Sequence, residues 1–228
     1  KDRRVVGVLV QSASIGVAMT MLSVYTSPWL EQTYGMSTLD RGLVYTVGGP
    51  ALLIGGPLSG RLANALGRVR VITRGSVTMA VLLLLMPASA FLVPASAPGL
   101  VRAGGEPRWL LAIPTLVLFF GIMCSGSIRA GPFFTLAMEV VEPGQRGAMS
   151  AIRNTFNHVG AAAGASLGAL VWARAPARYG AVCATAAIVT LLGIALLRRL
   201  TGVEPPVRDR TRPPATTPEE TPSGSFIT

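Results

Sequence analysis

The sequence contains few charged residues and few residues of the kinds that bind metals or form disulfides. Charged side chains make up 13% of the chain, about half the share found in a soluble domain. Cys124 and Cys183 are the two cysteines. Both fall in apolar runs without metal-ligand spacing, so we interpret them as small hydrophobic residues and not as a disulfide. The sequence also lacks a Ser-His-Asp arrangement and a phosphate loop. It therefore predicts no enzyme activity, no catalytic residue, no metal site and no cofactor.

Long uncharged apolar runs take the place of these features. Half of the residues are hydrophobic, and the mean hydropathy is +0.54. A bilayer-crossing helix needs roughly 20 mostly apolar residues, and such runs recur along the whole chain, which excludes a signal peptide as their explanation. We predict an all-α integral membrane protein, with a six-helix bundle over 1–200. The expected spans are 5–27, 43–62, 72–94, 109–138, 147–173 and 180–199. The segment 201–228, rich in Pro, Thr and charge, is expected to be a disordered cytoplasmic tail.

The net charge of +10 would suggest nucleic-acid binding in a soluble protein. Here the arginines lie between the apolar runs, so we interpret them as topology signals and expect no nucleic-acid partner. With the N-terminus inside, most Lys and Arg residues fall in cytoplasmic segments. This predicts a multi-pass protein of the cell membrane with both termini in the cytoplasm. The aromatic residues that then fall at outer boundaries are Trp29, Tyr34, Trp109, Trp172 and Tyr179.

The stretch GGPLSGRLANALGRVRVI, Gly55 to Ile72, combines glycines and arginines in a way that suggests phosphate binding. It has no Gly-Lys-Ser/Thr ending. It also has no preceding strand, and no acidic residue at the spacing that a dinucleotide site requires. Because one apolar run precedes it and another follows, we interpret it as a tight inner turn between the second and third spans.

The part of this stretch from Gly60 to Ile72 resembles the signature loop of the major facilitator superfamily, whose transporters consist of two six-helix halves. The matching residues are Gly60, Leu62, Ala63, Gly67 and Arg68, with Arg70 as the basic end. The resemblance implies a gating loop that contains Gly60, Asn64, Gly67, Arg68 and Arg70. Asn64 stands where the family has an acid and Ala65 where it has arginine. Asn64 cannot form the family's salt bridge, although its amide can hydrogen-bond or cap a helix.

The two departures also bear on which half of such a transporter this chain is. In this family the second copy of the loop is usually the degraded one, so the resemblance implies the C-terminal half, with the N-terminal half as the alternative. The chain begins with Lys1 and not with Met. We therefore expect a longer protein, in which an N-terminal six-helix half is missing here. The segment from Glu139 to Leu170 resembles the family's passage from the tenth into the eleventh helix, with some similarity to the drug:proton antiporter branches.

The fifth predicted span begins with a polar stripe. Arg153, Asn154, Asn157 and His158 have offsets that place them on one side of a helix. Polar groups that face lipid are unfavourable, so this stripe should face protein or a water-filled cavity. The four residues are candidates for a substrate or proton pathway. The alternatives are an arginine that reaches the membrane interface, amides that only bond a neighbouring helix, and a neutral imidazole with one hydrogen bond between helices.

Small residues follow in the same span. Gly160, Gly164 and Gly168 recur at every fourth position, which predicts close helix packing. The functional alternative is a smooth face that slides during transport.

Two further polar residues stand out in apolar surroundings. Arg129 either ends the fourth span or lies buried in one long helix, where it would need an acidic partner or an anionic ligand. Gln11 either lines a cavity or bonds within its own helix. No Asp or Glu lies deep in any predicted span, so a coupled proton would have to bind His158 or an acid in a missing half.

These features predict a secondary active transporter of the major facilitator type that exports small organic molecules by alternating access. Its expected partners are a small-molecule substrate, the lipid bilayer and the missing six-helix half. Two alternatives stay open: a six-span half-transporter that works as a homodimer, and a truncated membrane protein that transports nothing.

Overall fold

The computed structural model describes residues 2–92, 109–175 and 178–201. Every regular element in these ranges is a helix or a 3-10 turn, which confirms the all-α fold. The predicted tail lies outside the described residues from position 202 onward. Most of the segment between the third and fourth spans, including Arg102 and Arg108, also lies outside them.

Long helices alternate with short turns along the described chain. The α-helices are α1 (Asp2–Tyr34), α2 (Thr38–Thr46), α3 (Gly48–Leu66), α4 (Arg68–Leu85), α5 (Trp109–Glu139), α6 (Arg146–Arg174) and α7 (Arg178–Thr201). Two 3-10 turns, Pro87–Leu92 and Pro143–Gln145, follow α4 and precede α6. The second predicted span is thus two consecutive helices, α2 and α3, separated at Val47.

Local sequence signals account for several helix ends. Gly35 and Gly67 follow α1 and α3 with φ angles of 66° and 87°, a region that glycine enters without steric cost. α2 begins with a capping box. The Ser37 side chain accepts from the Asp40 backbone N–H, and the Asp40 carboxylate accepts from the Ser37 backbone N–H. This reciprocal pair satisfies two donors that the helix end would otherwise leave unpaired.

Five helical segments of the described chain are long and apolar enough to cross a membrane, with mean hydropathies between 1.2 and 2.3. They are Arg3–Tyr34, Thr38–Leu66, Arg68–Phe91, Leu111–Glu139 and Arg178–Thr201. α6 has 29 residues, which is also enough to cross a bilayer. It is not among the five because its first half carries the polar stripe of the fifth predicted span.

The helices pack as two groups of three. α1 packs along α6 and α7, α5 packs along α3 and α4, and the groups meet mainly where α4 contacts α7. Counted as spans, the first contacts the fifth and sixth, and the fourth contacts the second and third. A shift of three spans therefore reproduces the contact pattern. Such internal repeats are common in membrane transporters.

Glycines bring α1 and α6 into backbone contact. Gly160 lies against the carbonyl of Ala13, Gly164 against the backbone of Val17, and Gly168 against the ring of Tyr25. On the α1 side, Gly16 lies against the carbonyl of Asn157. A side chain at any of these positions would force the helices apart, which is why small residues recur on both faces.

Three of the aromatic residues expected at the outer membrane boundary are buried in the protein. Trp29 stacks on Tyr179 with ring centroids 4.2 Å apart, and Tyr34 meets Trp29 edge-on at 5.8 Å. The hydroxyl groups of Tyr179 and Thr26 are hydrogen-bonded at 2.9 Å. These rings fill the end of the core between α1 and α7, so they contact protein and not the surface of the bundle.

Candidate functional site

A cavity of about 330 Å³ lies among α1, α3, α5 and α6. α1 and α5 touch only sparsely, as do α5 and α6, and this leaves space between the two helix groups. The polar lining side chains are Ser12, Ser127, Arg129, Arg153, Asn154 and Asn157. Apolar side chains, including Met19, Leu52, Met123, Phe133 and Phe134, form the rest of the wall. An apolar wall with a few convergent polar groups is typical of small-molecule sites.

Arg129 lies inside α5 and lines this cavity. The helix continues through Pro132 to Glu139, so of the two alternatives that the sequence left open, the structure shows an arginine inside one long helix. Its side chain is 3% exposed. Gly75 and Ser76 of α4 leave room for it, since a Cβ at Gly75 would lie 3.2 Å from the Arg129 Cβ. Nη1 donates a hydrogen bond of 3.4 Å to the Ser76 hydroxyl.

Arg153 reaches the same cavity from α6. Its Cζ lies 4.2 Å from the ring centroid of Phe134, an arrangement in which the ring face attracts the cation. Nη2 donates to the Asn154 side-chain oxygen at 2.8 Å, while the buried Nε has no hydrogen-bond partner. The side chain is half-buried and packs across the cavity wall.

The predicted polar stripe of α6 is divided between two surroundings. Asn154 and Asn157 line the cavity with Arg153, whereas His158 is not part of the lining; Asn154 and His158 are both exposed. The reason is helical geometry. At about 100° per residue, His158 lies roughly 140° around the helix from Arg153 and Asn157 only about 40°. The expectation that all four residues share one environment is therefore wrong for His158.

Gln11 lies next to the site without lining it. Its side chain is 1% exposed, and its Oε1 has no hydrogen-bond partner. That oxygen faces α7, where a Cβ at Gly193 would lie 2.8 Å from it. Neither predicted alternative, a cavity lining or a bond within its own helix, describes this oxygen. Ser12, the next residue, does line the cavity and donates to the Val8 carbonyl at 2.9 Å.

The predicted gating loop forms the turn between α3 and α4. Gly60 lies in the last part of α3 with open space around it, and Gly67 makes the turn. Asn64 and Arg70 are exposed. Arg68 forms a salt bridge with Glu139, the last residue of α5. Sequence reasoning did not pair these residues, although Glu139 is the first acid after the fourth apolar run.

A comparison of the sequence with models of protein families agrees with this fold. A family model described as the Major Facilitator Superfamily matches residues 3–225. The chain belongs to the major facilitator superfamily. This facilitator chain is therefore a multi-pass membrane protein of a transporter family. A search of curated proteins found no match to it.

Family membership gives the arrangement of the helices a functional meaning. In facilitators each six-helix half contains two three-helix repeats, and substrate binds near the middle of the membrane. In this facilitator chain the contact pattern repeats after three spans, and the cavity lies between the two packing groups, each of which contains helices from both repeats. Arg129, Arg153, Asn154 and Asn157 are the predicted candidates that the structure brings together there.

Proposed function

We propose that this protein is a secondary transporter that exports small organic molecules by alternating access, with the cavity among α1, α3, α5 and α6 as part of its substrate site. The cavity supports this proposal most directly, because it combines an apolar wall with Arg129, Asn154 and Asn157 inside a membrane bundle. Polar groups at that depth are unfavourable unless they serve a pathway or a binding site. The resemblance of Glu139–Leu170 to antiporters supports proton coupling as part of the proposal, with His158 as a candidate proton site.

The proposal includes a second six-helix half that covers the cavity. It would be supplied by the N-terminal part of a longer polypeptide or by a second copy of this chain. The exposed face of α3 supports such a partner, since a Cβ at Gly49, Gly56 or Gly60 would have nothing within 4 Å. Native mass spectrometry of the purified chain distinguishes the two sources, because only a homodimer doubles the mass.

The proposed orientation places both termini in the cytoplasm of a cell-membrane protein. Helices of a bundle alternate in direction, so the start of α1, the α3–α4 turn, the α5–α6 turn and the end of α7 share one side. Basic residues concentrate at these four places, among them Arg4, Arg68, Arg146 and Arg198. The positive-inside rule supports assigning that side to the cytoplasm.

Solute counterflow in liposomes tests the transport proposal. The protein is reconstituted with its second six-helix half present, and radiolabelled organic anions, cations and neutral solutes are measured with and without an imposed pH gradient. We expect one class to exchange faster than in empty liposomes. Arg129→Gln should reduce that exchange, while Arg74→Gln, at an exposed position on α4, should not. Absence of exchange for every class, with protein that elutes as a folded species, would contradict the proposal.

A further inference from the structure

Arg129 is a buried cation without a buried anion. Its side chain is 3% exposed, and it forms no salt bridge within the described residues. Its hydrogen bond to Ser76 is 3.4 Å long and ends on a neutral hydroxyl. A guanidinium inside a membrane bundle is costly unless it pairs with a negative charge or faces water. Among the described residues Arg129 therefore has no negative partner, and the cavity that it lines is open to one.

Three acidic side chains of the described helices have other contacts. Glu31 pairs with Arg41 at 2.6 Å, and Glu139 pairs with Arg68. Asp40 accepts hydrogen bonds from Ser37 at the start of α2. Each of these acids lies at a helix end, whereas Arg129 lies ten residues before the end of α5. An acid from another protein half would reach Arg129 only through the cavity, because this bundle already covers 97% of its surface.

A second cation lines the same cavity. The guanidinium of Arg153 packs on Phe134, which orients it, and its buried Nε has no hydrogen-bond partner. Asn154 and Asn157 add neutral amides beside it. Two arginines and two amides supply donors of the kind that hold a carboxylate, sulfonate or phosphate group.

The remaining wall of the cavity restricts the rest of the ligand. Met19, Leu52, Met123 and Phe133 present apolar surface, and methionine and aromatic side chains adapt well to flat apolar groups. A volume of about 330 Å³ lies at the lower end of the range of small-molecule sites. It has room for one or two rings.

We propose that the cavity binds an organic anion with a compact apolar body, whose negative group lies against Arg129 and Arg153. This inference rests on the proposed transport function and names its substrate class. Two sources supply the same chemistry: a soluble amphipathic anion, and the headgroup of an anionic lipid. The cavity would bind both through the same contacts, since both present a negative group attached to apolar carbon.

Equilibrium binding of radiolabelled naphthalene sulfonate to the purified full chain in nonionic detergent tests the proposal. Its matched probes are naphthalene sulfonamide, which is neutral, and naphthylmethylamine, which is cationic. We expect saturable binding of the sulfonate alone. Arg129→Gln should weaken it by roughly tenfold or more, the loss of one charge-assisted hydrogen bond, and Arg129→Lys should weaken it less. Arg74→Gln, an exposed arginine on α4, should bind like the unmodified chain.

Two outcomes would overturn the inference. One is equal binding of the three probes, and the other is unchanged sulfonate affinity in a folded Arg129→Gln variant. If that variant does not fold, Arg153→Gln is measured in its place, because Arg153 is only half-buried. The same loss of sulfonate affinity is expected for it. A chain that exchanges cations or neutral solutes in liposomes without binding the sulfonate would refute the anion site and leave transport intact. Sulfonate binding without any exchange would support the site and refute transport.

The source of the anion is distinguished by repeating the binding with lipid added to the micelles. Competition by phosphatidylglycerol, but not by phosphatidylcholine, assigns the site to a lipid headgroup. Unchanged sulfonate affinity in both lipids assigns it to a soluble anion. Each result supports anion recognition at Arg129, and the two differ only in where the anion comes from.

Discussion

Arg68, the first residue of α4, forms a salt bridge with Glu139, the last residue of α5. The contact joins the α3–α4 turn to a helix end that is 71 positions away in sequence (139 − 68). The turn has Asn64 where related loops have an acid, so the negative charge that it lacks is supplied by another helix. The turn is thus joined to the end of α5 by an ion pair whose acid lies outside the turn.

Glu139→Gln should loosen the turn without unfolding the protein. The pair is partly exposed, with 33% and 49% of the two side chains accessible, and exposed pairs contribute about 1 kcal/mol or less. We expect little change in melting temperature and faster amide hydrogen exchange at 66–70. Reversing the charges, with Arg68→Glu and Glu139→Arg together, should restore slow exchange. Equal exchange in Glu139→Gln and the unmodified chain would show that the pair does not hold the turn.

Gly164→Ala should destabilise the bundle. A Cβ there would lie 2.5 Å from the Val17 carbonyl oxygen, and overpacking of this kind costs about 1–3 kcal/mol. The matched control is Gly56→Ala in α3, where nothing lies within 4 Å. Size-exclusion chromatography after heating should show loss of the folded peak at lower temperature for Gly164→Ala only. Equal melting of the two variants would refute tight contact between α1 and α6.

Thr115→Val should break a chain of buried hydroxyl groups. Ser89 donates to the Met86 carbonyl at 2.7 Å, so Thr115 must donate to Ser89 at 2.6 Å and Tyr34 to Thr115 at 2.6 Å. Valine keeps the shape but leaves the Tyr34 hydroxyl unpaired, a cost of about 1–3 kcal/mol. Thr115→Ser keeps the chain and serves as the control. A melting temperature unchanged by valine would mean that water or another group replaces Thr115.

The bilayer explains why much of the fold could be predicted. It requires long apolar helices, so runs such as 5–27 and 180–199 predict α1 and α7 directly from hydropathy. Gly67 and its neighbouring arginines predict the α3–α4 turn, because glycine permits a tight turn and charged residues lie outside the apolar spans. The break between α2 and α3 at Val47 is a feature that hydropathy does not predict. Thr38–Leu66 reads as one stretch of sufficient mean hydropathy, so hydropathy does not mark the break between α2 and α3.

The site was predictable only in part, because side-chain surroundings depend on which helices meet. The polar stripe predicted a cavity beside Asn154 and Asn157, but His158 lies farther around the helix and is not part of the lining. Arg129 could not be assigned from sequence, since burial depends on Gly75 and Ser76 of another helix. Trp29 and Tyr179 have the composition of a membrane-boundary belt, yet stacking with each other buries both rings.

Gln11→Met separates a structural role of Gln11 from a functional one. Its buried Oε1 has no hydrogen-bond partner, and an unpaired buried acceptor costs about 1–3 kcal/mol. Methionine has a similar length and no polar group to leave unpaired, so we expect the melting temperature to stay equal or rise. Ser12→Ala, which removes the bond to the Val8 carbonyl, is the control and should lower it slightly. If Gln11 contacts a transported solute, Gln11→Met will slow counterflow in spite of its unreduced stability. A lower melting temperature for Gln11→Met would instead show that this amide has a partner that stabilises the bundle.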